Sequence, residues 1–248
     1  MATPSRVGSE TTFTDTTGTL TPAKTVRLSH TTTADTDLLI FAVFHRENDS
    51  WGTDPATFDS TVMTLIAEKN DSTSSGDVAV RVYGLISPGA KTADCDFLFS
   101  NSPNPTAGIC INYTDVDTAS VAAATNHLTG SGSPYSDNTG SGTTVVFTSG
   151  GSSGNQLLAF AVGAGDDSGP MTNDDSFTEI WDAETGGGAG SSADLAVYAA
   201  EKAAASGITI NVAGSADEKG GLFIELVEAP ASGLSIPVAY HHYSKNLG

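Results

Sequence analysis

A near-repeat of one apolar segment constrains this chain more than any other sequence feature. The run LLIFAVFHRENDS begins at Leu38, and the similar run LLAFAVGAGDDSG begins at Leu157, an offset of 119 residues. In both copies an acidic loop follows the apolar run. Self-similarity at a fixed period predicts a fold built from repeated structural units, so the repeat is interpreted before any single motif.

Four further segments match in the same order along the chain. DSTVMTLIAE, which begins at Asp59, matches DSFTEIWDAE at an offset of 116 residues. Val82–Tyr83 matches the second VY pair at an offset of 115, and CDFLFS and AGICINYTD match ITINVA and GGLFIELVE at an offset of 113. We infer an internal duplication with a period of about 115 residues, in which the first copy has slightly longer loops.

The local pattern is that of strands. Short runs of Val, Ile, Phe, Thr and Tyr are bounded by Gly, Ser, Asn and Asp, and no long stretch has apolar residues at helical spacing. The strands that begin near Leu38 and Leu157 are apolar on both faces, which predicts central, fully buried positions. Cys95, Phe97 and Phe99 alternate with polar residues, which predicts a strand with one wet face. The predicted strands are 24–29, 37–45, 61–68, 77–86, 94–100 and 107–114 in the first copy, and 143–148, 156–163, 177–183, 193–202, 207–213 and 220–228 in the second.

The fold class predicted from these strands is all-β. We expect a two-sheet antiparallel β-sandwich of jelly-roll type, built from the internal duplication and followed by an extended C-terminal tail. The sequence leaves open whether the copies form two tandem sandwiches or one large one, and we favour a single intimate unit. The predicted organisation is an N-terminal arm (1–20), β-sandwich repeat 1 (21–118), a linker (119–142), β-sandwich repeat 2 (143–230) and a C-terminal docking tail (231–248).

The net charge of the chain excludes some classes of binding partner. The 248 residues include 29 acidic and 10 basic side chains, a formal net charge of −19. Such a surface repels phosphate backbones and anionic lipid headgroups, so we expect neither nucleic acid nor membrane as a partner. The first residues, MATPSRVGSETT, lack the apolar region of a secretory signal, and no run of apolar residues is long enough to span a bilayer.

The two cysteines, Cys95 and Cys110, are too few for a disulfide framework. They match Ile208 and Phe223 of the second copy, which are apolar. The sequence therefore favours a role for both cysteines as small, buried apolar side chains. If strands 94–100 and 107–114 form a hairpin, the two side chains are diagonal neighbours about 7 Å apart, too far for easy bridging. A disulfide and a reactive thiol remain alternatives.

The acidic residues do not form a catalytic pattern. Retaining glucanases of this architecture carry acids at i, i+2 and i+4 on one strand, whereas Glu179, Asp182 and Glu184 fall at i, i+3 and i+5. No nucleophile elbow or phosphate-binding motif occurs. We therefore predict no enzymatic activity, no catalytic residue and no cofactor-binding residue.

A calcium site is the one ion site that the acidic loops leave open. Carboxylate oxygens crowded on a loop suit Ca²⁺, but EF-hand spacing is absent and the histidines have no metal-binding spacing. The prediction is accordingly no metal and no cofactor, with weak Ca²⁺ candidates in the second copy. Those candidates are Asp166, Asp167, Asp174 and Asp175, and the corresponding first-copy acids are Glu47, Asp49, Asp54 and Asp59.

Two other groups of residues are candidates for binding. Trp51 and Trp181 are candidate glycan contacts, although Trp181 fits the core better because its counterpart is Leu65. The tail after Pro230 lies outside the repeat, and its apolar and aromatic side chains are expected to dock on another protein surface. The predicted interaction residues of the tail are Ile236, Val238, Tyr240, His241, His242 and Tyr243.

The order of segments also resembles a known family. The residues that carry it are LLxFAV, an acidic loop, VRVYGLISPGAKT (Val80–Thr92) and INYTDVDT (Ile111–Thr118). The pattern resembles duplicated jelly-roll or concanavalin-like β-sandwich domains of tailed-phage virion proteins and bacterial surface proteins. It covers roughly residues 20–228, and the second copy departs from it because YAAEKAAASGIT lacks the Pro-Gly turn. The tail IPVAYHHYSKN is similar to short C-terminal pieces of phage-like proteins.

The resemblance implies a non-enzymatic bacteriophage virion structural protein. We expect a capsid decoration protein, head fibre or tail component on the outer surface of the particle, made in the host cytoplasm. Its expected partners are other virion proteins, namely capsid or tail subunits, and further copies of itself in a homo-oligomer. The alternative is a lectin-like carbohydrate-binding module that attaches to host or surface glycans.

Overall fold

The computed structural model describes residues 2–15, 25–46, 55–70, 78–99, 105–127, 144–164, 171–173, 176–185, 195–213 and 218–231. Every pairing between its strands is antiparallel, so the predicted all-β antiparallel sandwich is confirmed. The strands of the first half are β1 (Ser5–Arg6), β2 (Thr11–Thr14), β3 (Thr25–Thr32), β4 (Leu38–Arg46), β5 (Thr57–Phe58), β6 (Thr61–Val62), β7 (Thr64–Asn70), β8 (Val78–Ile86), β9 (Lys91–Leu98) and β10 (Thr106–Thr114). The later elements are α1 (Val121–Ala124), β11 (Thr125–His127), β12 (Thr144–Gly150), β13 (Gln156–Ala164), β14 (Thr172–Asn173), β15 (Thr178–Glu184), β16 (Leu195–Ala203), β17 (Ser206–Ala213) and β18 (Glu218–Leu226).

Each half contains two sheets, which we call inner and outer. Inner sheet 1 has the order β1-β10-β4-β8-β7, with β2 also paired to β10, and outer sheet 1 has the order β3-β9-β5-β6. Inner sheet 2 has the order β11-β18-β13-β16-β15, and outer sheet 2 has the order β12-β17-β14. The strands predicted to correspond therefore occupy the same places in both halves. This common order supports the duplication, which stays a prediction.

A matching irregularity reinforces the correspondence. The pairing of β7 with β8 shifts register between Leu65 and Ala67, and that of β15 with β16 shifts between Glu179 and Trp181. Both shifts lie on the outermost strand of an inner sheet, each skipping one isoleucine (Ile66 or Ile180). A bulge at a sheet edge twists the edge and weakens its pairing with another chain.

The four sheets are stacked in layers around three buried clusters. The largest cluster lies between the inner sheets and joins both halves in one core. Strand β4 shows why: Leu38, Ile40, Ala42 and Phe44 point into this shared core, whereas the alternate residues face outer sheet 1. The apolar residues of β4 from Leu38 to Phe44 have no solvent exposure, which confirms the predicted central position of this strand.

Face alternation also fixes how the two LL-containing strands correspond. Leu38 points into the shared core, but Leu157, its match at an offset of 119, faces the third cluster on the opposite side of inner sheet 2. A shift of one residue moves every side chain of a strand to the other face. The bounds of β4 and β13 match at an offset of 118, which places Leu158 with Ile40 in the shared core. The alignment of these two strands was therefore wrong by one residue.

The hairpin considered for the cysteine-bearing strands is also wrong. Strand β9 pairs with β3 and β5 in outer sheet 1, whereas β10 pairs with β1, β2 and β4 in inner sheet 1. The physical reason is burial: β9 has one polar face and suits an outer layer, and β10 is buried on both faces and suits an inner one.

The segment between the halves begins with the single helical turn α1. Ser120 caps it by accepting a hydrogen bond from the Ala123 N–H at 3.1 Å, and β11 then pairs with β18. No helix among the described residues has the length and apolar character needed to cross a membrane.

Candidate functional site

Most of the residues singled out in the sequence lie outside the described residues. This holds for the calcium candidates, for one of the two tryptophans and for the whole docking tail. The residues concerned are Asp166, Asp167, Asp174, Asp175, Trp51, Ile236, Val238, Tyr240, His241, His242 and Tyr243. Within the described ranges, no group of three His, Cys, Asp or Glu side chains is arranged to hold a metal ion.

Trp181 is the described member of the tryptophan pair. It lies on the edge strand β15, is half-buried and packs against the shared core. Its ring meets the Phe44 ring edge-on at a centroid distance of 6.1 Å. This contact agrees with the core position that the sequence favours for Trp181, and it ties the edge of inner sheet 2 to inner sheet 1.

The neighbouring carboxyl group also has a structural role. Asp182 accepts a hydrogen bond from the Met171 N–H at 3.1 Å, which attaches the segment before β14 to β15. Partial burial, together with the nearby charge of Glu179, raises the pKa of Asp182, while the Met171 N–H acts in the opposite direction. Asp182, one of the acids compared above with the glucanase pattern, therefore accepts a hydrogen bond that links β15 to the segment before β14.

A polar pocket of about 410 Å³ lies on the solvent face of outer sheet 1. It forms because β3 and β9 are neighbours in register, so that Ser29 lies opposite Asp94 and shares the solvent face of the sheet with Thr92 and Asp96. The turn between β5 and β6 forms one wall, with Asp59 and Ser60 in the left-handed region at φ 50° and 61°. The pocket is lined by Ser29, Asp59, Ser60, Thr92, Ala93, Asp94 and Asp96.

Cations at the pocket rim compensate for its three carboxylates. Arg27 donates two hydrogen bonds to Asp96, at 2.6 and 3.0 Å, and lies 3.5 Å from Asp94. Lys91 Nζ donates to Asp59 at 2.9 Å. The pocket thus presents hydroxyl groups and paired carboxylates that can exchange hydrogen bonds with a hydroxyl-rich ligand.

Only part of this pocket was accessible to sequence reasoning. Asp59 belongs to the acidic segment considered for calcium, and the alternation of β9 places Asp94 and Asp96 on its wet face. The missing information was the partner strand, because Ser29 on β3 pairs with Asp94 across a long sequence separation.

A second polar cluster joins the halves. Glu201 of β16 accepts hydrogen bonds from Tyr113 Oη of β10 at 2.8 Å and from Arg6 Nε of β1 at 2.6 Å. Burial, followed by the charge of Glu201, raises the pKa of Tyr113 well above its usual value. We call Arg6, Tyr113 and Glu201 the inter-half clasp.

A third cluster is buried within the first half. His30 Nδ1 lies 2.9 Å from Thr11 Oγ1, and His30 Nε2 lies 3.0 Å from Asn112 Oδ1. The Asn112 amide donates to the Thr31 carbonyl at 2.9 Å, so its oxygen faces the imidazole, and Nε2 carries the proton. Burial lowers the pKa of His30, although its bond with Asn112 acts in the opposite direction. A neutral histidine therefore joins β2, β3 and β10.

Three large apolar side chains are exposed in the part of the chain that the structure describes. Val62 is 59% exposed, Leu65 is 46% exposed and Leu98 is 41% exposed. Val62 and Leu65 flank the point where the chain passes from the edge of outer sheet 1 to the edge of inner sheet 1. We call residues 61–65 the β6–β7 corner.

Comparison with known proteins adds no relative. No family model, no curated protein and no solved structure matches the chain.

Proposed function

We propose that this protein is a non-enzymatic structural component of a bacteriophage virion. It sits on the outer surface of the particle, as a capsid decoration protein, head fibre or tail component, and binds neighbouring virion subunits and further copies of itself. It needs no cofactor. The observation that carries the proposal is the shared core, which fixes both halves in one four-layer block suited to act as a rigid spacer.

The described polar clusters support this function because they link elements of the fold. The inter-half clasp joins β1, β10 and β16, and the His30 cluster joins three strands of the first half. Asp182 holds a backbone N–H. Each hydrogen bond adds rigidity to a particle component, and the net charge of −19 disfavours contact with packaged DNA.

The β6–β7 corner supplies a described contact surface for assembly. Val62 and Leu65 expose apolar area on the outermost described strands of two sheets. An exposed apolar group at the edge of a sheet favours association with another protein. Lys69 and the ion pair of Glu68 with Arg81 on β7 and β8 border this corner and limit non-specific pairing.

The test is saturable binding to particles. The purified chain should bind expanded empty capsids or tails of its phage at a fixed stoichiometry, measured by the mass of protein in solution and on particles. Val62→Lys combined with Leu65→Lys should weaken binding at least tenfold, whereas Leu98→Lys, which alters an exposed leucine two strands from Val62 in outer sheet 1, should have a smaller effect. Absence of saturable binding by the unaltered chain contradicts the proposal.

The alternative function, glycan binding, is favoured by the polar pocket on outer sheet 1. Its hydroxyl and carboxylate groups are those that bind sugar hydroxyls. A glycan array should then give a selective signal that Asp94→Asn removes. If Trp51→Ala removes the signal and Asp94→Asn does not, the glycan site lies at the loop predicted from sequence and the pocket has no role.

A further inference from the structure

The two cysteines of the first half face each other across the gap between its sheets. Cys95 lies on β9 of outer sheet 1, and Cys110 lies on β10 of inner sheet 1. Both belong to the buried cluster between these sheets, and neither has solvent exposure. Both are free thiols, and they are near enough for Cys95 to contribute to the raised pKa of Cys110.

The sheets approach closely at this point because a glycine stands beside Cys110. Gly108 lies two residues before Cys110 and therefore on the same face of β10. A Cβ atom at Gly108 would lie 3.2 Å from Val26 Cγ1 and 3.4 Å from Leu28 Cδ1. Leu28 is in turn the register partner of Cys95. Because Gly108 has no side chain, β3 can pack closely on β10 next to Cys110, and β9 is paired with β3 there.

From this geometry we propose that Cys95 and Cys110 are a redox-active pair that closes into a disulfide between the inner and outer sheets of the first half. Two neighbouring thiols in one buried cluster satisfy the first requirement for a disulfide, and inter-sheet disulfides are an established stabilising device in β-sandwiches. The inference is independent of the proposed virion function.

The reaction requires an oxidant, for which we name a small peroxide. One thiol attacks the O–O bond, forming a sulfenic acid and releasing water. The second thiol attacks the sulfenic sulfur, the S–S bond forms and a second water leaves. In total the two thiols lose two electrons and two protons, and one hydrogen peroxide becomes two waters.

Burial makes the reaction slow but confines it to one product. The pKa of Cys110 is raised well above its usual value, first by burial and then by the nearby Cys95, so its thiolate is scarce. The oxidant reaches the pair when the outer sheet opens. A sulfenic acid formed there has the other thiol beside it, which favours a disulfide within the chain over one between chains.

The disulfide would change the first half alone. By strand register Cys110 corresponds to Phe223, as in the sequence alignment, whereas Cys95 corresponds to Ile210, two residues beyond the Ile208 of that alignment. The second half therefore has no equivalent thiols. The bond would tie β9, which carries two carboxylates of the polar pocket, to β10, onto which the N-terminal strands β1 and β2 pair. It would prevent outer sheet 1 from separating from inner sheet 1.

The experiment treats the native, full-length chain with hydrogen peroxide and measures its intact mass and thiol content after denaturation. We expect a loss of two mass units, no alkylatable thiol and an unfolding midpoint raised by about 5–10 °C, all reversed by a reductant. Chymotryptic cleavage after Phe97 and Phe99, which separates the cysteines in sequence, should release peptides joined by the S–S bond. Cys95→Ala and Cys110→Ala are matched controls that should show no gain in midpoint.

Three outcomes overturn the inference. The first is retention of two alkylatable thiols under conditions that oxidise small-molecule thiols. The second is a disulfide-linked dimer as the main product, and the third is a gain of oxygen atoms on either cysteine without an S–S bond. Measurements on the unaltered chain decide among these outcomes even if an alanine variant fails to fold.

Discussion

Tyr113 of the first half donates a hydrogen bond of 2.8 Å to Glu201 of the second half, inside the interface between the inner sheets. Tyr113 occupies a position of β10 that points into the shared core, so its hydroxyl needs a buried partner. Glu201 provides it and also accepts from Arg6. One carboxylate thus joins the N-terminal strand, the first half and the second half.

Glu201→Gln should lower the free energy of unfolding by about 1–2 kcal/mol, because charge-assisted hydrogen bonds become neutral ones in a site largely closed to water. Chemical denaturation measures this change. The matched control is Glu68→Gln, which removes a similar carboxylate from a pair with Arg81 at 2.9 Å within one half, and it should cost less than about 1 kcal/mol. Equal losses in the two variants would show that the clasp adds nothing beyond a surface ion pair.

The shared core makes a second prediction. Phe44 and Phe160 face each other across the two halves with ring centroids 6.2 Å apart. Phe44→Ala should lower the free energy of unfolding by about 3–5 kcal/mol, since it opens a cavity in a fully buried site. Amide hydrogen exchange should accelerate in β13 as well as in β4, because both strands line that cavity.

Leu98→Ala, at an exposed leucine, is the control for Phe44→Ala and should change stability by no more than about 0.5 kcal/mol. If Phe44→Ala leaves β13 protected while β4 loses protection, the halves unfold independently and the shared core does not couple them.

The sequence identifies the strands of this protein well, but it does not identify which strands pair with each other in a sheet. The run LLIFAVF identifies β4 as a central strand because a segment apolar on both faces must be covered on both faces. The same reasoning cannot determine which sheet contains β9. Cys95, Phe97 and Phe99 alternate with polar residues, and this pattern fits any sheet with one buried face. The hairpin error followed from assuming that strands adjacent in sequence are adjacent in space, which is common but not general.

The candidate sites depend on that missing information. Asp94 and Asp96 can be placed on a wet face from the sequence, but the pocket also needs Ser29, and only the pairing of β3 with β9 brings it there. The contact of Tyr113 with Glu201 requires the packing of one inner sheet on the other. Local patterns specify the burial of a strand, whereas long-range packing determines which polar groups meet.

The buried imidazole of His30 makes a third prediction, which concerns pH. Burial lowers its pKa in the folded state below the unfolded value of about 6.5, so the unfolded chain binds a proton that the folded chain does not. The contribution is fully present above about pH 6.5 and is lost as the pH falls towards the folded pKa. Stability should then fall by up to about 1.4 kcal/mol for each pH unit in that window.

The measurement is urea denaturation at pH 7.5 and pH 5. His30→Gln should reduce the difference between the two pH values. Thr11→Val removes one hydrogen bond of the same cluster but leaves the imidazole, so it should lower stability at both pH values and keep the pH dependence. An unchanged pH dependence in His30→Gln would assign the effect to other groups.

The last prediction concerns the docking tail. Removal of residues 231–248 should leave the midpoint of thermal unfolding within a few degrees, because the last described contacts precede the cut. Asn155 donates to Glu225 at 2.8 Å and accepts from the Glu228 N–H at 3.0 Å, and the Ala229 N–H donates to the Asp115 carbonyl at 2.9 Å. Binding to particles should fall at least tenfold, and Tyr240→Ser with Tyr243→Ser in the full chain should reproduce much of that loss. A truncated chain that unfolds would show that the tail completes the fold, and one that binds particles with full affinity would move the contact to the β6–β7 corner.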